Sequence, residues 1–404
     1  EMSASLVGSE MCIRDRYLTD GTLKQAVADG YVLVERTTES GVRLGIVGLI
    51  DLDDYDFDPK KKTLIRATEG TVISRIPPRV KIRENAAIEL PHVMLLVDDP
   101  IDRQKIDGCQ CDTQEDAVNI AAVKHGIIEY VYAIRDTLCK LYDTDLMQGG
   151  GHIRGYAVEG EAAKQVTEAF AAKQNSCGGF LFAVGDGNHS LATAKTCWEN
   201  IKKSGKFTEE QLKTHPARHA LVEICNLHSE ALEFKPIHRL LTNVDVKDML
   251  SFFEAEITKQ GLESTEGDEI VFEYVESGSC DSAKSANVNE VVSENNDGSC
   301  TAPIKNSGIN ITNRGDRLPV EILQGILDKY LETHGNVEID YIHGDEALHG
   351  LVKETKGCGI FLQSIDKSTL FPAINAGGVL PRKTFSIGEA NEKRYYMECH
   401  KISM

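Results

Sequence analysis

Residues 180–190 read FLFAVGDGNHS, and residues typical of a helix continue from Leu191 to Lys203. The apolar run Phe180 to Val184 predicts a short buried strand, and the two glycines that follow predict a tight turn. Ser190 is of a type that commonly caps helices, so a helix is expected to begin at the turn. A strand, a turn and a helix in direct succession are typical of proteins that pack helices against sheets.

The turn, residues 185–190, carries groups suited to an anion. The first amides of the following helix and the positive end of its dipole favour a phosphate or a carboxylate. Asp186 can hold Mg²⁺ or accept a hydroxyl proton, and His189 can donate to a phosphoryl oxygen or exchange a proton near neutral pH. We therefore interpret Asp186 and His189 as catalytic. We assign ligand contacts to the other residues of the turn, Gly185, Gly187, Asn188 and Ser190. The alternative is that the Asp-Gly pair only shapes the turn and His189 only caps the helix.

A basic segment supplies candidate cations. The turn matches neither G-x-x-x-x-G-K-[ST] nor G-x-G-x-x-G, so the Walker and Rossmann loops are excluded. Arg75, Arg79, Lys81 and Arg83 surround a Pro-Pro pair, which cannot lie inside a regular helix. We therefore predict an extended segment in which the last three cations share one face. Arg75, Arg79 and Arg83 are interpreted as ligand-binding, and a solvated or ion-paired surface is the alternative.

Further candidate residues lie outside these two segments. Glu69 and Asp98 are carboxylates that we interpret as general bases or metal ligands, with ordinary surface positions as the alternative. His152 follows three glycines, and we interpret this stretch as a substrate loop. His238 and Arg239 are a further candidate ligand pair, for which a buried structural pair is the alternative.

The whole chain is acidic. Its 404 residues include 44 Lys and Arg against 63 Asp and Glu, which gives a formal net charge of −19. Such a surface repels DNA, RNA and anionic membranes, so we expect no nucleic-acid and no membrane partner. No apolar run reaches the ~18 residues that a membrane span requires. The 11 cysteines include no C-x-x-C pair, which favours reduced thiols in a cytoplasmic protein.

The remaining sequence predicts a two-lobed α/β protein of the mixed α+β type. A hairpin is predicted from Tyr31 to Ile50, and a helix from Ala117 to Tyr142. We expect an N-terminal domain over residues 17–242 and a C-terminal domain over residues 243–404. Both are expected to have mixed sheets with flanking helices, and the ligand crevice is expected at the turn of residues 185–190. The pattern does not predict the oligomeric state.

The first residues are expected to lie outside the fold. The chain begins at Glu1 rather than Met, and Ser5 to Arg16 resembles a translated sequencing adapter. We therefore expect residues 1–16 to be an artefact and the chain to be a fragment that lacks its authentic N-terminus.

Several long blocks, in order along the chain, resemble the family catalogued as domain of unknown function 1015 (DUF1015). These blocks are Arg66 to Thr71, Arg75 to Glu84, Asp145 to Ile153, Gly185 to Lys195, Glu233 to Arg239 and Leu380 to Phe385. The resemblance covers nearly everything from Tyr17 to Met404. It implies no activity, because none is assigned to that family.

The turn alone is also similar to the Asp-Gly-His-His-Arg turn of the partition-protein-like group, which includes sulfiredoxin and free-serine kinases. In that group the turn and the helix N-terminus receive nucleotide phosphates. This second resemblance implies ATP or ADP with Mg²⁺ as the cofactor. Asn188 and Ser190 stand here in place of a His and an Arg, and the missing Arg removes a bidentate phosphate donor. A phosphate here therefore needs another cation.

Two functions stay open at this point, while a third, a nucleic-acid protein suggested only by the similarity to the partition-protein-like group, is disfavoured by the net charge of −19. The first is a nucleotide-dependent phosphotransferase for a small anionic or polar metabolite, with phosphate at residues 185–190 and Mg²⁺ at Asp186. Phosphoryl transfer needs mainly positioning and charge neutralisation, which this residue set supplies. The second is a non-catalytic sensor that binds an anionic metabolite or a nucleotide with the same residues. Only turnover separates the two, so the sequence does not decide whether the protein is an enzyme.

Overall fold

The computed structural model describes residues 16–90, 93–100, 126–275, 303–388 and 397–404. The chain forms two compact units. The first comprises Glu1–Glu233 and Ile387–Met404, and the second comprises Phe234–Ser386. The expected artefact, residues 1–16, lies outside the described residues except for Arg16.

The division between the units differs from the expected boundary after residue 242. The strand Phe234–Thr242 pairs with Glu338–His343 and Cys358–Leu362, so the second unit begins before this strand. The last residues of the chain return to the first unit, where His400–Lys401 pairs with Ile88–Glu89. Both features arise from pairing between residues that are far apart in the chain, which a local sequence pattern does not contain.

Strands and helices occur in both units. The described strands are, in chain order, β1 (Gly30–Thr38), β2 (Gly41–Asp51), β3 (Tyr55–Asp56), β4 (Ile65–Ala67), β5 (Ile88–Glu89), β6 (Met94–Val97), β7 (Cys139–Asp145), β8 (His152–Glu159), β9 (Phe182–Asp186), β10 (His219–Asn226), β11 (Phe234–Thr242), β12 (Glu263–Val275), β13 (Ile304–Thr312), β14 (Glu338–His343), β15 (Cys358–Leu362), β16 (Phe385–Ile387) and β17 (His400–Lys401). The helices are α1 (Ile76–Arg83), α2 (Ile127–Ala133), α3 (Gly160–Ser176), α4 (Asn188–Lys203), α5 (Glu209–Lys213), α6 (Val246–Lys259), α7 (Pro319–Thr333), α8 (Asp345–Thr355) and α9 (Leu370–Gly377).

The main sheet of the first unit has mixed strand directions. Its nine strands lie in the order β3-β4-β9-β6-β10-β2-β1-β8-β7. β4 is parallel to β9, β9 is antiparallel to β6, and β6 is parallel to β10. As a result, β4 and β9 end at one edge of the sheet, while β6 and β10 end at the opposite edge.

Helices cover one face of this sheet. Val131 of α2, Val166 of α3 and Trp198 of α4 are buried in one apolar cluster with Leu33 and Ile224 from the strands. Their neighbours along the strands form a smaller apolar cluster on the opposite face, because successive strand side chains alternate. The mixed α/β architecture confirms the fold class that the sequence predicts.

The second unit is built on a smaller sheet. Five strands lie in the order β13-β12-β15-β11-β14, and β16 pairs with β11. Leu348 and Val352 of α8 pack against Leu240 of β11. Phe252 of α6 contacts Tyr330 of α7 edge to face, with ring centroids 5.2 Å apart. The unit therefore has an apolar core of its own.

Two local predictions are wrong. The segment around the Pro-Pro pair is the helix α1 rather than an extended strand, because both prolines lie in its first turn, where the missing N–H breaks no helical hydrogen bond. The helix predicted from Ala117 to Tyr142 is shorter. Its described part is α2, and the following residues form the strand β7, while residues 117–125 lie outside the described part of the chain.

Candidate functional site

Two parallel strands, β4 and β9, end at the same edge of the nine-stranded sheet. Ala67 of β4 pairs in register with Val184 of β9. Glu69 follows β4 by two residues and Asp186 is the last residue of β9, so the two carboxylates leave the sheet at the same level. The carboxyl ends of parallel strands are a common place for ligands in α/β sheets. This edge and the start of α4 form the candidate site.

The turn between β9 and α4 presents backbone amides at this edge. Gly187 has a φ of 86°, in the left-handed region where a side chain would be strained. Gly187 is the N-cap residue and has no side chain to cap the helix, and the first helical hydrogen bond runs from Leu191 N to Gly187 O at 3.0 Å. The amides of residues 188–190 therefore have no partner within the helix. Asp186 accepts a hydrogen bond from Gly187 N through Oδ1 at 2.7 Å. The turn offers an anion these amides and the positive end of the helix dipole.

Asn188 connects the two strands instead of facing a ligand. It is buried, its Oδ1 accepts from Thr68 N at 3.2 Å, and its Nδ2 donates to Thr68 Oγ1 at 3.2 Å. Thr68 Oγ1 in turn donates to Val184 O at 2.6 Å. Sequence reasoning did not single out Thr68, which lies inside the block Arg66 to Thr71. This closed network fixes the end of β4 against the turn.

His189 holds the neighbouring loop against the start of α4. Its Nε2 accepts a hydrogen bond from Val72 N at 3.2 Å, so the proton of the neutral ring is on Nδ1. The loop of residues 68–75 is thereby attached to α4 at two points, Thr68 and Val72. His189, which the sequence suggested as an acid or base, uses Nε2 here to position this loop.

Arg75 and Arg79 bring positive charge to the same loop. Arg75 N donates to Val72 O at 3.0 Å, so Arg75 lies one turn beyond the contact with His189. Arg75 and Arg79 are four residues apart at the start of α1, both are exposed, and this spacing places them on one face of the helix. A buried cluster that includes Ile76 packs α1 against α4. The two arginines thus lie on a helix that packs against α4, not on the extended segment predicted.

Two other predicted ligand residues have structural contacts. Arg83, at the end of α1, donates from Nε to Oε2 of the buried Glu89 at 3.1 Å. Gly185 leaves room for apolar packing, because a Cβ at this position would collide with Leu96 and Ile387. Neither contact points to a ligand.

Asp98 lies at the opposite edge of the sheet from Asp186. It follows β6, which is antiparallel to β9. Its Oδ1 is 2.7 Å from Nε2 of His228. Asp98 therefore does not join Asp186 as a second carboxylate, because the direction of β6 reverses the end at which it leaves the sheet.

His152 also lies away from the turn. It begins β8, which is five strands from β9 in the sheet order, or about 24 Å at the usual strand spacing. Its ring lies between two carboxylates of β7, with Nδ1 2.6 Å from Asp145 and Nε2 2.7 Å from Asp143. These hydrogen bonds raise the pKa of His152, that to Asp145 most. The histidine therefore connects the edge strand β7 to its neighbour β8.

His238 and Arg239 belong to the second unit, where both are buried. His238 contacts Asp345 through Nε2 at 2.8 Å and accepts from Leu362 N through Nδ1 at 3.2 Å. Arg239 donates to the Lys383 carbonyl at 3.0 Å, and burial lowers its pKa to about 10. These contacts agree with the structural alternative for the pair.

The described part of the chain contains no ready-made metal centre. No three His, Cys, Asp or Glu side chains of the described residues come together as metal ligands. Within the same residues, no helix has the length and apolar character needed to cross a membrane.

Comparison with known proteins gives a family match and distant structural neighbours. A family model described as "Protein of unknown function (DUF1015)" matches residues 14–139 and 124–292. No curated protein matches the chain.

The solved structures with similarity to the chain are remote. They include a free serine kinase in complex with AMP, at 11% identity and a TM-score of 0.37, covering 85% of this chain and 87% of that one. A conserved hypothetical protein from Pyrococcus furiosus matches at 12% identity and a TM-score of 0.36, covering 85% and 91%. SbnI with C-terminal truncation from Staphylococcus aureus matches at 8% identity and a TM-score of 0.36, covering 85% and 83%.

Proposed function

The chain belongs to the DUF1015 family, whose function is unknown, and from that premise we propose that it is a nucleotide-dependent phosphotransferase acting on a small polar metabolite. The observation that supports this proposal is the meeting of three features at one edge of the sheet. They are the N-terminus of α4, the carboxylates Glu69 and Asp186, and, on the helix α1 that packs against α4, the cations Arg75 and Arg79. Phosphoryl transfer depends mainly on positioning and charge neutralisation, and each feature supplies part of that requirement.

The roles follow from the chemistry of each group. The amides of residues 188–190 donate to phosphoryl oxygens, and Arg75 and Arg79 neutralise phosphate charge with forked guanidinium groups. Glu69 or Asp186 accepts the proton of the acceptor hydroxyl, which a carboxylate does when it lies within hydrogen-bond reach. His189 contributes indirectly, because its contact with Val72 positions the loop of residues 68–75.

Mg²⁺ fits this set of donors only together with the nucleotide. In proteins Mg²⁺ commonly takes one or two carboxylates and fills its remaining positions with phosphate oxygens and waters. Asp186 is the residue that would hold it, which leaves Glu69 to accept the proton. When bound, Mg²⁺ supplies neutralisation of the phosphate charge.

A sensor that binds an anionic metabolite or a nucleotide without turnover is the second candidate. The contact between His189 Nε2 and Val72 N is compatible with it, because it removes one group that could exchange a proton and leaves only Glu69 and Asp186 for that role. The same amides and arginines would then bind the ligand, and no proton transfer would be needed.

Thermal stabilisation by ATP and Mg²⁺ tests the site. A ligand at about 100 times its Kd adds about 2.7 kcal/mol to the free energy of unfolding, which raises the Tm by a few degrees. We expect Asp186→Asn and the double variant Arg75→Gln/Arg79→Gln to lose most of this rise. Lys81→Gln removes the same charge from an exposed position of α1 and should keep it, because Lys81 lies on another face of the helix.

Turnover separates the two functions. ADP formed from ATP in the presence of small hydroxylated metabolites, and lost in Asp186→Asn, identifies a phosphotransferase. Stabilisation by ATP without ADP formation for any acceptor identifies the sensor. If neither ATP nor ADP raises the Tm, with or without Mg²⁺, the assignment of this edge as a nucleotide site is wrong.

A further inference from the structure

The first unit contains a cavity of about 530 Å³ near the C-terminal end of α4. Its lining includes Asn200 and Ile201 of α4. Asn200 is about 18 Å along the helix from Asn188, at 1.5 Å per residue, so the cavity is separate from the turn at the start of α4. Sites for small molecules have volumes of roughly 300–1,000 Å³, and this cavity falls within that range.

Part of the lining is apolar and small. Ala86, Ala217 and Ile402 line the cavity and form one buried cluster. Alanine methyl groups leave the cavity wide where a larger side chain would fill it. A flat apolar surface of a ligand can therefore lie against them.

Another part of the lining is aromatic. Phe207 and His215 both line the cavity, and their ring centroids are 4.8 Å apart at an interplanar angle of 81°. Phe207 is only half-buried. Aromatic rings pack favourably against other rings in stacked or edge-to-face geometry, with a gain of about 0.5–1.5 kcal/mol beyond burial.

His215 gives the cavity a buried hydrogen-bond donor. It is 4% exposed, and its Nδ1 accepts from Ala217 N at 3.1 Å. Burial lowers the pKa of His215, so the ring is neutral at pH 7 and its proton is on Nε2. Among the described residues none is a hydrogen-bond partner of Nε2. A ligand that enters the cavity and displaces water from this donor must supply an acceptor in its place.

The outer lining adds amide groups. The side-chain amides of Asn85 and Asn200 line the cavity and make no hydrogen bond with the described residues. A purely apolar ligand would leave the His215 donor without an acceptor, and a purely polar ligand would leave the ring and methyl surfaces in water. A ring that carries acceptor atoms satisfies both kinds of surface.

We infer that this cavity binds a planar heteroaromatic molecule up to the size of a nucleoside, with its ring packed on Phe207 and Ala217 and a ring acceptor hydrogen-bonded to Nε2 of His215. This site is independent of the phosphotransferase proposal, because it uses no residue of the turn at the start of α4.

The single tryptophan of the chain reports on this site. Trp198 is buried in α4, and its ring centroid is 5.9 Å from that of His215. We would titrate the full chain with adenosine and follow Trp198 fluorescence, using ribose as the control without a ring. We expect a saturable change with adenosine and none with ribose. Absence of a saturable change up to millimolar adenosine would overturn the proposal.

Two variants localise the binding. His215→Asn keeps an acceptor for Ala217 N but removes the Nε2 donor, and Phe207→Ala removes the aromatic surface. Each should weaken adenosine binding about fivefold to tenfold, as expected from the loss of roughly 1 kcal/mol. Lys203→Ala, an exposed change on α4 outside the lining, should leave it unchanged. Far-UV circular dichroism checks that each variant is folded. If folded variants bind adenosine like the wild type, the cavity is not the binding site.

Discussion

Asn188 stabilises the turn by serving as donor and acceptor at the same time. Its Oδ1 accepts from the buried Thr68 N, and its Nδ2 donates to Thr68 Oγ1 and to Val184 O, at 3.2 and 3.4 Å. No aliphatic side chain can replace either contact. We expect Asn188→Ala to lower the free energy of unfolding by about 1–3 kcal/mol, because Thr68 N is left buried without a partner. Urea denaturation measures the change.

Ser190→Ala is the matched control for this prediction. Ser190 lies two residues further along α4, and its side chain makes no hydrogen bond with the described residues. A change outside such a network usually alters stability by less than about 0.5 kcal/mol. If Asn188→Ala costs no more than Ser190→Ala, the network does not fix the turn, and a direct ligand role for Asn188 becomes the better interpretation.

At the scale of elements, apolar spacing predicts helices well and prolines are ambiguous. The predicted helix Pro319 to His334 agrees with α7, and Val246 to Gln260 agrees with α6, because each buries one regular apolar stripe. Two adjacent prolines exclude a helix interior but suit a first turn, and the sequence does not distinguish these positions. An extended segment would have placed Arg79, Lys81 and Arg83 on one face. Because α1 is a helix, Arg75 and Arg79, which are one turn apart, share a face instead.

Close packing between β7 and β8 depends on a glycine. Gly155 of β8 pairs with Tyr142 of β7, and a Cβ at Gly155 would collide with the tyrosine ring. We expect Gly155→Ala to destabilise the protein by about 1–3 kcal/mol, the usual cost of overpacking.

Gly325→Ala is the opposite case, because Gly325 is exposed inside α7 with open space around its Cα. It should stabilise the protein by up to about 1 kcal/mol. Equal effects of the two changes in thermal denaturation would contradict this reasoning.

At the scale of the whole molecule, the candidate site depends on strand pairing that no local pattern contains. Residues 185–190 are contiguous, so their role as one turn follows from the sequence. Glu69 lies at the same edge only because β4 is parallel to β9. Asp98 lies at the opposite edge because β6 is antiparallel to β9. Residue type alone made both acids candidates. The long-range order of the sheet separates them.

The net charge of the molecule predicts an unusual salt dependence of anion binding. A charge of −19 repels an anionic ligand over about 30 Å at 0.01 M salt but only over about 10 Å at 0.1 M, where the nearby Arg75 and Arg79 dominate. We therefore expect the affinity for ATP, at constant Mg²⁺, to rise between 0.01 and 0.1 M KCl and to fall towards 1 M as the two arginines are screened. Isothermal titration calorimetry measures both parts of the curve.

The double variant Arg75→Gln/Arg79→Gln separates the attraction by these two arginines from the repulsion by the overall negative charge. Without the two cations, only the general repulsion should remain, so the weak residual affinity should rise with salt over the whole range. A steady fall in wild-type affinity from the lowest salt upward, as seen for proteins with basic surfaces, would mean that the overall negative charge does not act at the site. In that case the same charge would no longer argue against an anionic polymer as a partner, and binding to duplex DNA at low salt would be the decisive measurement.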